Sequence, residues 1–126
     1  MKFPLAIALM LLVLINPVLS AEVKPEARSF ATFWVQFKAA VANKNKDAIA
    51  GLTKFPFAYL SEQLAKADFI KQWDKIFSQK VQRCIRNAKP VKDPNRESYS
   101  VFCGETIFVF EKSNGEYQFT DVGEND

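Results

Sequence analysis

Asp121 is the residue whose predicted surroundings best suit acid–base chemistry. The strand pattern described below places it on an aromatic face, together with Phe108, Tyr117 and Phe119. A carboxylate among aromatic rings loses hydration, so its pKa rises and it can act as a general acid or base. The alternative is structural, because an aspartate near the end of a last strand can face solvent or pair with a lysine or arginine.

Four amphipathic aromatic residues could line a binding pocket with that carboxylate: Tyr59, Trp73, Tyr99 and Tyr117. Each combines an apolar ring with a polar tip, so core packing with the tip toward solvent is the simpler role. The sequence contains no histidine, which removes the commonest general base and histidine-based metal sites. Its four glycines stand singly and form no phosphate-binding loop. We therefore expect no metal and no cofactor.

Cys84 and Cys103 are the two cysteines of the chain. They are too few for a zinc site, and they lack the close spacing of a redox pair. In an oxidising compartment they are most simply a structural disulfide. Closing a loop of about 20 residues stabilises a fold by roughly 3 kcal/mol on the chain-entropy model.

The N-terminus has the order of a secretory signal: Lys2, an apolar run to Ile15, a break at Pro17, and small residues at Ser20 and Ala21. A retained anchor would need about 18 uninterrupted apolar residues, and the run is shorter. We predict a signal peptide over 1–21 and a periplasmic or secreted protein without membrane contact after cleavage.

The rest of the chain, 22–126, is the size of one domain. Its nearest approach to a basic patch consists of Lys80, Arg83, Arg86, Lys89 and Lys92. We interpret these cations as the solvated end of a helix, where they also suit the helix dipole. We therefore expect no nucleic-acid partner.

Hydrophobic periodicity predicts three helices before the strands. The first covers Pro25–Asn43 with Ser29 as a cap, and Asp47 caps a short second helix through Leu52. A third runs from Asp68 to Ile85 with a kink near Ser78. The segment 54–60 is predicted as an edge strand or a loop on the core because of Pro56. The connector 61–67 stays undefined, and 87–97 is predicted as a loop.

Three strands follow, over 98–103, 106–112 and 116–122, joined by turns at Gly104-Glu105 and Asn114-Gly115. Two-residue turns fix the register, and directly paired residues share a face. One face then carries Tyr99, Val101, Cys103, Phe108, Phe110, Tyr117, Phe119 and Asp121. We expect this face to pack on the helices, because Cys103 lies on it and Cys84 lies on the third helix.

The opposite sheet face is predicted to carry an uncharged apolar strip: Phe102, Ile107, Val109 and Val122. An exposed strip of this kind suits a homodimer or a protein partner. Coverage by the 54–60 segment or by the chain termini explains it equally well.

Several packing motifs of the chain resemble those of small exported bacterial proteins of the NTF2-like superfamily, which has a cystatin-like α+β roll. They are Phe33-Trp34 with Phe37 and Val41, Leu52 to Phe57, Trp73 to Phe77, Cys103-Gly104, Ile107 to Phe110 and Phe119 to Val122. The resemblance implies N-terminal helices packed on a curved antiparallel sheet and a conical cavity that binds small apolar molecules in some relatives. It also implies dimers through the outer sheet face. Enzymes of the superfamily use Asp, His or Tyr in the cavity, and here Asp121 and the tyrosines alone could match.

Together these features favour an exported, non-enzymatic binding module that uses the cone cavity or the outer sheet face. Its partner would be a small apolar ligand or a protein, and inhibitor or immunity-type proteins belong to this class. The alternative is a small-molecule isomerase or hydrolase with Asp121 as general acid or base. A cavity on the order of a few hundred Å³ around that carboxylate would favour the enzyme.

Overall fold

The computed structural model describes residues 29–125, which form helices packed on one face of a curved sheet. The predicted signal peptide and the start of the predicted first helix, 25–28, lie outside these residues. The helices are α1 Phe30–Ala42, α2 Lys46–Gly51, α3 Lys66–Lys71, α4 Trp73–Ile76 and α5 Gln79–Asn87. The strands are β1 Thr53–Tyr59, β2 Glu62–Leu64, β3 Val91–Lys92, β4 Ser98–Cys103, β5 Thr106–Ser113 and β6 Glu116–Glu124. The predicted α+β class is confirmed.

The six strands form one sheet in the order β2-β1-β6-β5-β4-β3. Strands β3 to β6 pair antiparallel, whereas β1 pairs parallel with β6 and antiparallel with β2. The prediction of an edge strand or loop at 54–60 is therefore wrong, since β1 has a neighbour on each side. Pro56 fits there because the ladder to β6 shifts register between Thr53 and Ala58, and the ladder to β2 begins at Phe57.

α1 lies across the sheet and supplies more buried side chains to the core than any other helix. Ser29 caps it, its side chain accepting a hydrogen bond from the Thr32 amide. Phe33 and Phe37 are fully buried on the stripe that faces the sheet. The Phe37 ring lies 5.0 Å from that of Phe110 and 5.2 Å from that of Phe119, both edge-on. Such contacts add to the free energy gained by removing the rings from water.

Phenylalanine rings occupy the space between sheet and helices. Of those in the described part of the chain, eight are fully buried: Phe33, Phe37, Phe57, Phe69, Phe77, Phe108, Phe110 and Phe119. Phe57 contacts Phe119 at 4.6 Å between centroids, and Phe69 contacts Phe57 at 5.1 Å. The aromatic sheet face thus meets the helices as predicted, and it does so as a packed core.

The predicted third helix is three short helices in the structure. The expected kink near Ser78 is a full break, where the Ser78 side chain caps α5 by accepting from the Val81 amide. A second break separates α3 from α4 at Gln72, whose ψ of 15° departs from helical geometry. The predicted loop 87–97 also contains β3, which pairs Val91 with Ser100.

The predicted hairpin register is confirmed as far as Phe119 and is wrong beyond it. Cys103 pairs with Thr106, and Phe110 with Phe119, as the turns require. A β-bulge then shifts the pairing, so that Val109 faces Asp121 and Phe108 faces Val122. A bulge adds one residue to one strand and reverses the faces that follow it. Val122 consequently turns into the core, at 3% exposure, and Asp121 lies on the outer face.

Candidate functional site

The five predicted binding residues do not meet in one pocket. Trp73 is buried against Phe77, with 4.5 Å between ring centroids. Tyr59 pairs with Val122 across β1 and β6 and is half-buried. Tyr99 and Tyr117 contact each other near the start of α1, at 5.7 Å.

The Tyr99–Tyr117 pair belongs to an aromatic cluster at the N-terminal end of α1. The Tyr99 ring stacks on Phe30 with 3.7 Å between centroids, and the Tyr117 hydroxyl donates to Glu97 Oε2 at 2.9 Å. Burial, followed by the hydrogen bond to Glu97, raises the pKa of Tyr117 to about 12. Tyr117 therefore stays protonated at neutral pH and acts as a hydrogen-bond donor that ties β6 to the loop before β4.

Asp121 lies in a polar cluster on the outer face. Its Oδ1 accepts a 2.6 Å hydrogen bond from the Thr120 hydroxyl, and its side chain is half-buried. Burial is the largest influence and raises the pKa of Asp121, while the bond from Thr120 opposes it. Nearby Glu111 raises this pKa further, but Glu111 is itself paired with Arg96 at 2.6 Å. The predicted surroundings of Phe108, Tyr117 and Phe119 are wrong, because those rings lie on the other side of the sheet.

The predicted disulfide is present. Cys84 on α5 and Cys103 at the end of β4 are joined, with 5.8 Å between their Cα atoms. The bond holds α5 against the hairpin between β4 and β5. As a result, the side chains along α5 lie at the β4 side of the sheet.

Part of the predicted outer strip remains exposed. We call Val91, Phe102, Ile107 and Val109 the outer patch; Val122, predicted as a member, is in the core. Phe102 is 51% exposed and Val91 55% exposed, whereas Ile107 and Val109 are half-buried. Coverage by the 54–60 segment does not occur, because that segment is the strand β1 of the same sheet.

A cationic pocket borders the outer patch at Phe102. It is a shallow, open pocket of about 530 Å³, and its lining combines three cations with apolar and amide groups: Lys80, Arg83, Cys84, Asn87, Ala88, Lys89 and Phe102. None of the lining residues within 29–125 is acidic. The pocket can therefore accept a negatively charged group beside an exposed aromatic ring.

The sequence contains one indication of this pocket, a local run of cations that the composition of the whole chain does not show. The segment 75–92 contains six cations and no carboxylate, which is unusual in a chain of mixed charge. From sequence alone, these cations are interpreted as a solvated helix end. What periodicity could not show is that the disulfide places this end next to Phe102.

No family model and no curated protein matches the chain. Among solved structures, the chain is similar to a protein from Xanthomonas campestris that is named for a calcium/calmodulin-dependent protein kinase II association domain. The two share 16% identity over 81% of this chain and 88% of that chain, with a TM-score of 0.43. A similarity at this level carries no argument about function, and the α+β architecture rests on the helices and the sheet themselves.

Proposed function

We propose that the protein is an exported, non-catalytic binding module whose partner is an acidic protein surface. The contact region is the outer patch together with the cationic pocket at its edge. One observation carries the proposal: Phe102 is half exposed beside a pocket that holds Lys80, Arg83 and Lys89. Inhibitor and immunity-type proteins, which block a partner by covering its surface, belong to this class.

The arrangement has the composition of a protein–protein interface. Such interfaces place aromatic and aliphatic side chains at the centre, with polar and charged residues around them. A few aromatic or arginine side chains commonly supply most of the binding free energy. Phe102 and Arg83 fit these two roles.

Charge favours an acidic partner over a second copy of the chain. In a two-fold dimer centred on Phe102, the cations of one pocket would approach those of the other. Like charges brought together in this way disfavour association, whereas carboxylates opposite them favour it. A homodimer through Phe102, Ile107 and Val109 is the competing occupant, and the experiment below distinguishes the two.

The other candidates have less support. A small apolar ligand in a cone cavity would need space that the eight buried phenylalanines fill. An isomerase or hydrolase using Asp121 would need a site around a carboxylate that instead lies on the outer face beside Thr120. The disulfide supports the proposal that the protein is exported, because such bonds persist in oxidising compartments.

Site-specific photo-crosslinking in cells tests the proposal. A benzophenone derivative of phenylalanine replaces Phe102 in one strain and Leu60 in another; Leu60 is also exposed, at 40%, but lies beside β1. We expect an adduct with one acidic protein from the Phe102 position and none from Leu60. An adduct with a second copy, equal adducts from both positions, or no adduct would contradict the proposal.

The purified pair then allows a quantitative test. We expect Phe102→Ala and Arg83→Glu each to weaken binding at least tenfold, about 1.4 kcal/mol, and Leu60→Ala to leave it unchanged. Binding should also weaken as salt is raised, because the cations are solvent-exposed. Titration calorimetry at two salt concentrations measures both effects, and salt-independent binding would argue against the role of charge.

A further inference from the structure

A second cavity lies on a different face of α5, in the groove between α5 and α1. It is half open to solvent and has a volume of about 360 Å³. From α1 it is lined by Val35, Lys38, Ala39, Val41 and Ala42, and from α5 by Gln82, Ile85 and Arg86. The lining residues of each helix recur at three- and four-residue steps, so two helix faces oppose each other across the groove.

Apolar groups form most of this groove. Ile85 is buried at its base, whereas Val35 is 64% exposed at its wall. Ala39 and Ala42 end at a methyl group, and this leaves open the space that larger side chains would fill. The stretch from Val35 to Ala42 spans about 10 Å along the helix. The groove therefore suits a narrow apolar chain.

The charges of the groove have one sign. Among the described residues of its lining, Lys38 and Arg86 are the charged ones, and none is a carboxylate. Within residues 29–125, neither cation is paired with a carboxylate in a salt bridge. The Lys38 ammonium lies 5.9 Å from the centroid of the Trp34 ring, a contact weak enough to exchange for an anion. The side-chain nitrogen of Gln82 already donates to the carbonyl of Phe77 at 2.8 Å, so Lys38 and Arg86 are the main donors that the described lining offers to an anion.

We propose that this groove binds a single-chain anionic amphiphile, namely a medium-chain fatty carboxylate. The alkyl chain lies over Ile85, Ala39 and Ala42, and the carboxylate is held by Arg86 and Lys38. The volume lies at the small end of the roughly 300–1,000 Å³ usual for ligand pockets, which favours one chain over a two-chain lipid. Arg86 offers a bidentate fork that matches a carboxylate.

Titration calorimetry of the purified protein with octanoate and decanoate, both below micelle formation, tests chain recognition. A methylene fully removed from water tightens binding about fourfold. Because the groove is half open, we expect decanoate to bind roughly 4- to 15-fold more tightly than octanoate. Decyltrimethylammonium has the same chain with the opposite charge, and we expect it to bind at least tenfold more weakly than decanoate. Equal affinities across these probes, or no binding of decanoate, would overturn the proposal.

Two variants locate the site. Ala39→Phe fills the groove and should reduce decanoate affinity at least tenfold, and Arg86→Gln should reduce it several-fold. Ala31→Phe is the matched control, because Ala31 is an exposed alanine two turns away on the same helix and outside the groove. Circular dichroism melts confirm that each variant is folded. If folded Ala39→Phe binds decanoate as the wild type does, the ligand lies elsewhere and the assignment is refuted. Phe102→Ala lies outside the groove, and we expect it to leave decanoate binding unchanged.

Discussion

Thr120 determines the surroundings of Asp121. Its hydroxyl donates to Asp121 Oδ1 at 2.6 Å and lies 3.2 Å from the carbonyl oxygen of Val109. Those contacts hold the extra residue of the bulge in place, so that the next side chain, Asp121, points to the outer face. The carboxylate therefore lies beside a hydroxyl and several charged groups, and not among the aromatic rings that strict alternation predicts.

We expect Asp121→Asn to stabilise the protein slightly at neutral pH. Burial raises the pKa of Asp121 above its ordinary value of 3.8, so the folded state holds its proton to a higher pH than the unfolded state does. The charged form therefore destabilises the fold above the folded pKa, and this destabilisation disappears below pH 3.8. The gain should be on the order of 0.5 kcal/mol, because the side chain is half exposed and solvent screens it.

Denaturant unfolding of Asp121→Asn and wild type between pH 3.5 and 7.5 measures this difference. The advantage of the variant should shrink as the pH falls. Glu124→Gln, which removes an exposed carboxylate from the same strand, corrects for net charge. A difference that stays constant with pH, or one that grows toward acid, would show that the pKa shift has another sign or origin.

The position of Asp121 also shows how far the sequence could predict the sheet. Turns at Gly104 and Asn114 fix the register, and that register is right through Phe119. Strict alternation then fails, because a bulge needs no special residue type to form. A signal was nevertheless present: the buried apolar residues step by two from Tyr117 to Phe119 and by three to Val122.

At the scale of elements, α5 connects both proposed sites. One of its faces contributes Lys80 and Arg83 to the cationic pocket, and another contributes Gln82 and Arg86 to the groove. Ile85 is its buried hydrophobic anchor. The disulfide at Cys84 therefore supplies an important part of the attachment of this short helix to the sheet.

We expect the double variant Cys84→Ala, Cys103→Ala to be about 3 kcal/mol less stable than the oxidised protein. The bond joins two residues that are 19 positions apart in the chain, so its loss frees the loop between them in the unfolded state. Hydrogen exchange should show the largest loss of protection in α5, because that helix loses its covalent link to β4. The reduced wild type should behave like the variant. A small, uniform loss across the fold would mean that packing alone holds α5.

The order of the strands was less accessible from sequence than the hairpins were. The pairing of neighbouring strands can be predicted when a two-residue turn joins them. By contrast, β1 pairs in parallel with β6, which lies more than 50 residues later in the chain. Pro56 made the segment look like an edge, and no local pattern identifies a distant parallel neighbour. Likewise, periodicity found the apolar face of the 66–87 region but not the break at Gln72.

At the scale of the whole molecule, the charge is small in sum and uneven in distribution. The chain carries a formal net charge of +3, yet the segment 75–92 holds six cations and no carboxylate. The segment 105–126 holds six carboxylates and one cation, Lys112. The cations of the pocket lie beside Phe102, whereas the carboxylates of Asp121 and Glu111 lie farther along the outer face, near Val109. The positive charge at the Phe102 end can steer an acidic group of a partner to that end.

This uneven charge leads to a prediction about assembly, because the outer patch would otherwise favour self-association. We expect the wild type to be monomeric by light scattering at physiological salt, since the cations around Phe102 repel a second copy. The double variant Arg83→Ser, Lys89→Ser removes two of them and should self-associate at least tenfold more tightly, about 1.4 kcal/mol. Adding Phe102→Ser should return it to the monomer, because the apolar centre is then lost. If the wild type is a dimer and Phe102→Ser dissociates it, the outer patch is a homodimer interface. If the double variant stays monomeric, charge repulsion is not what keeps the copies apart.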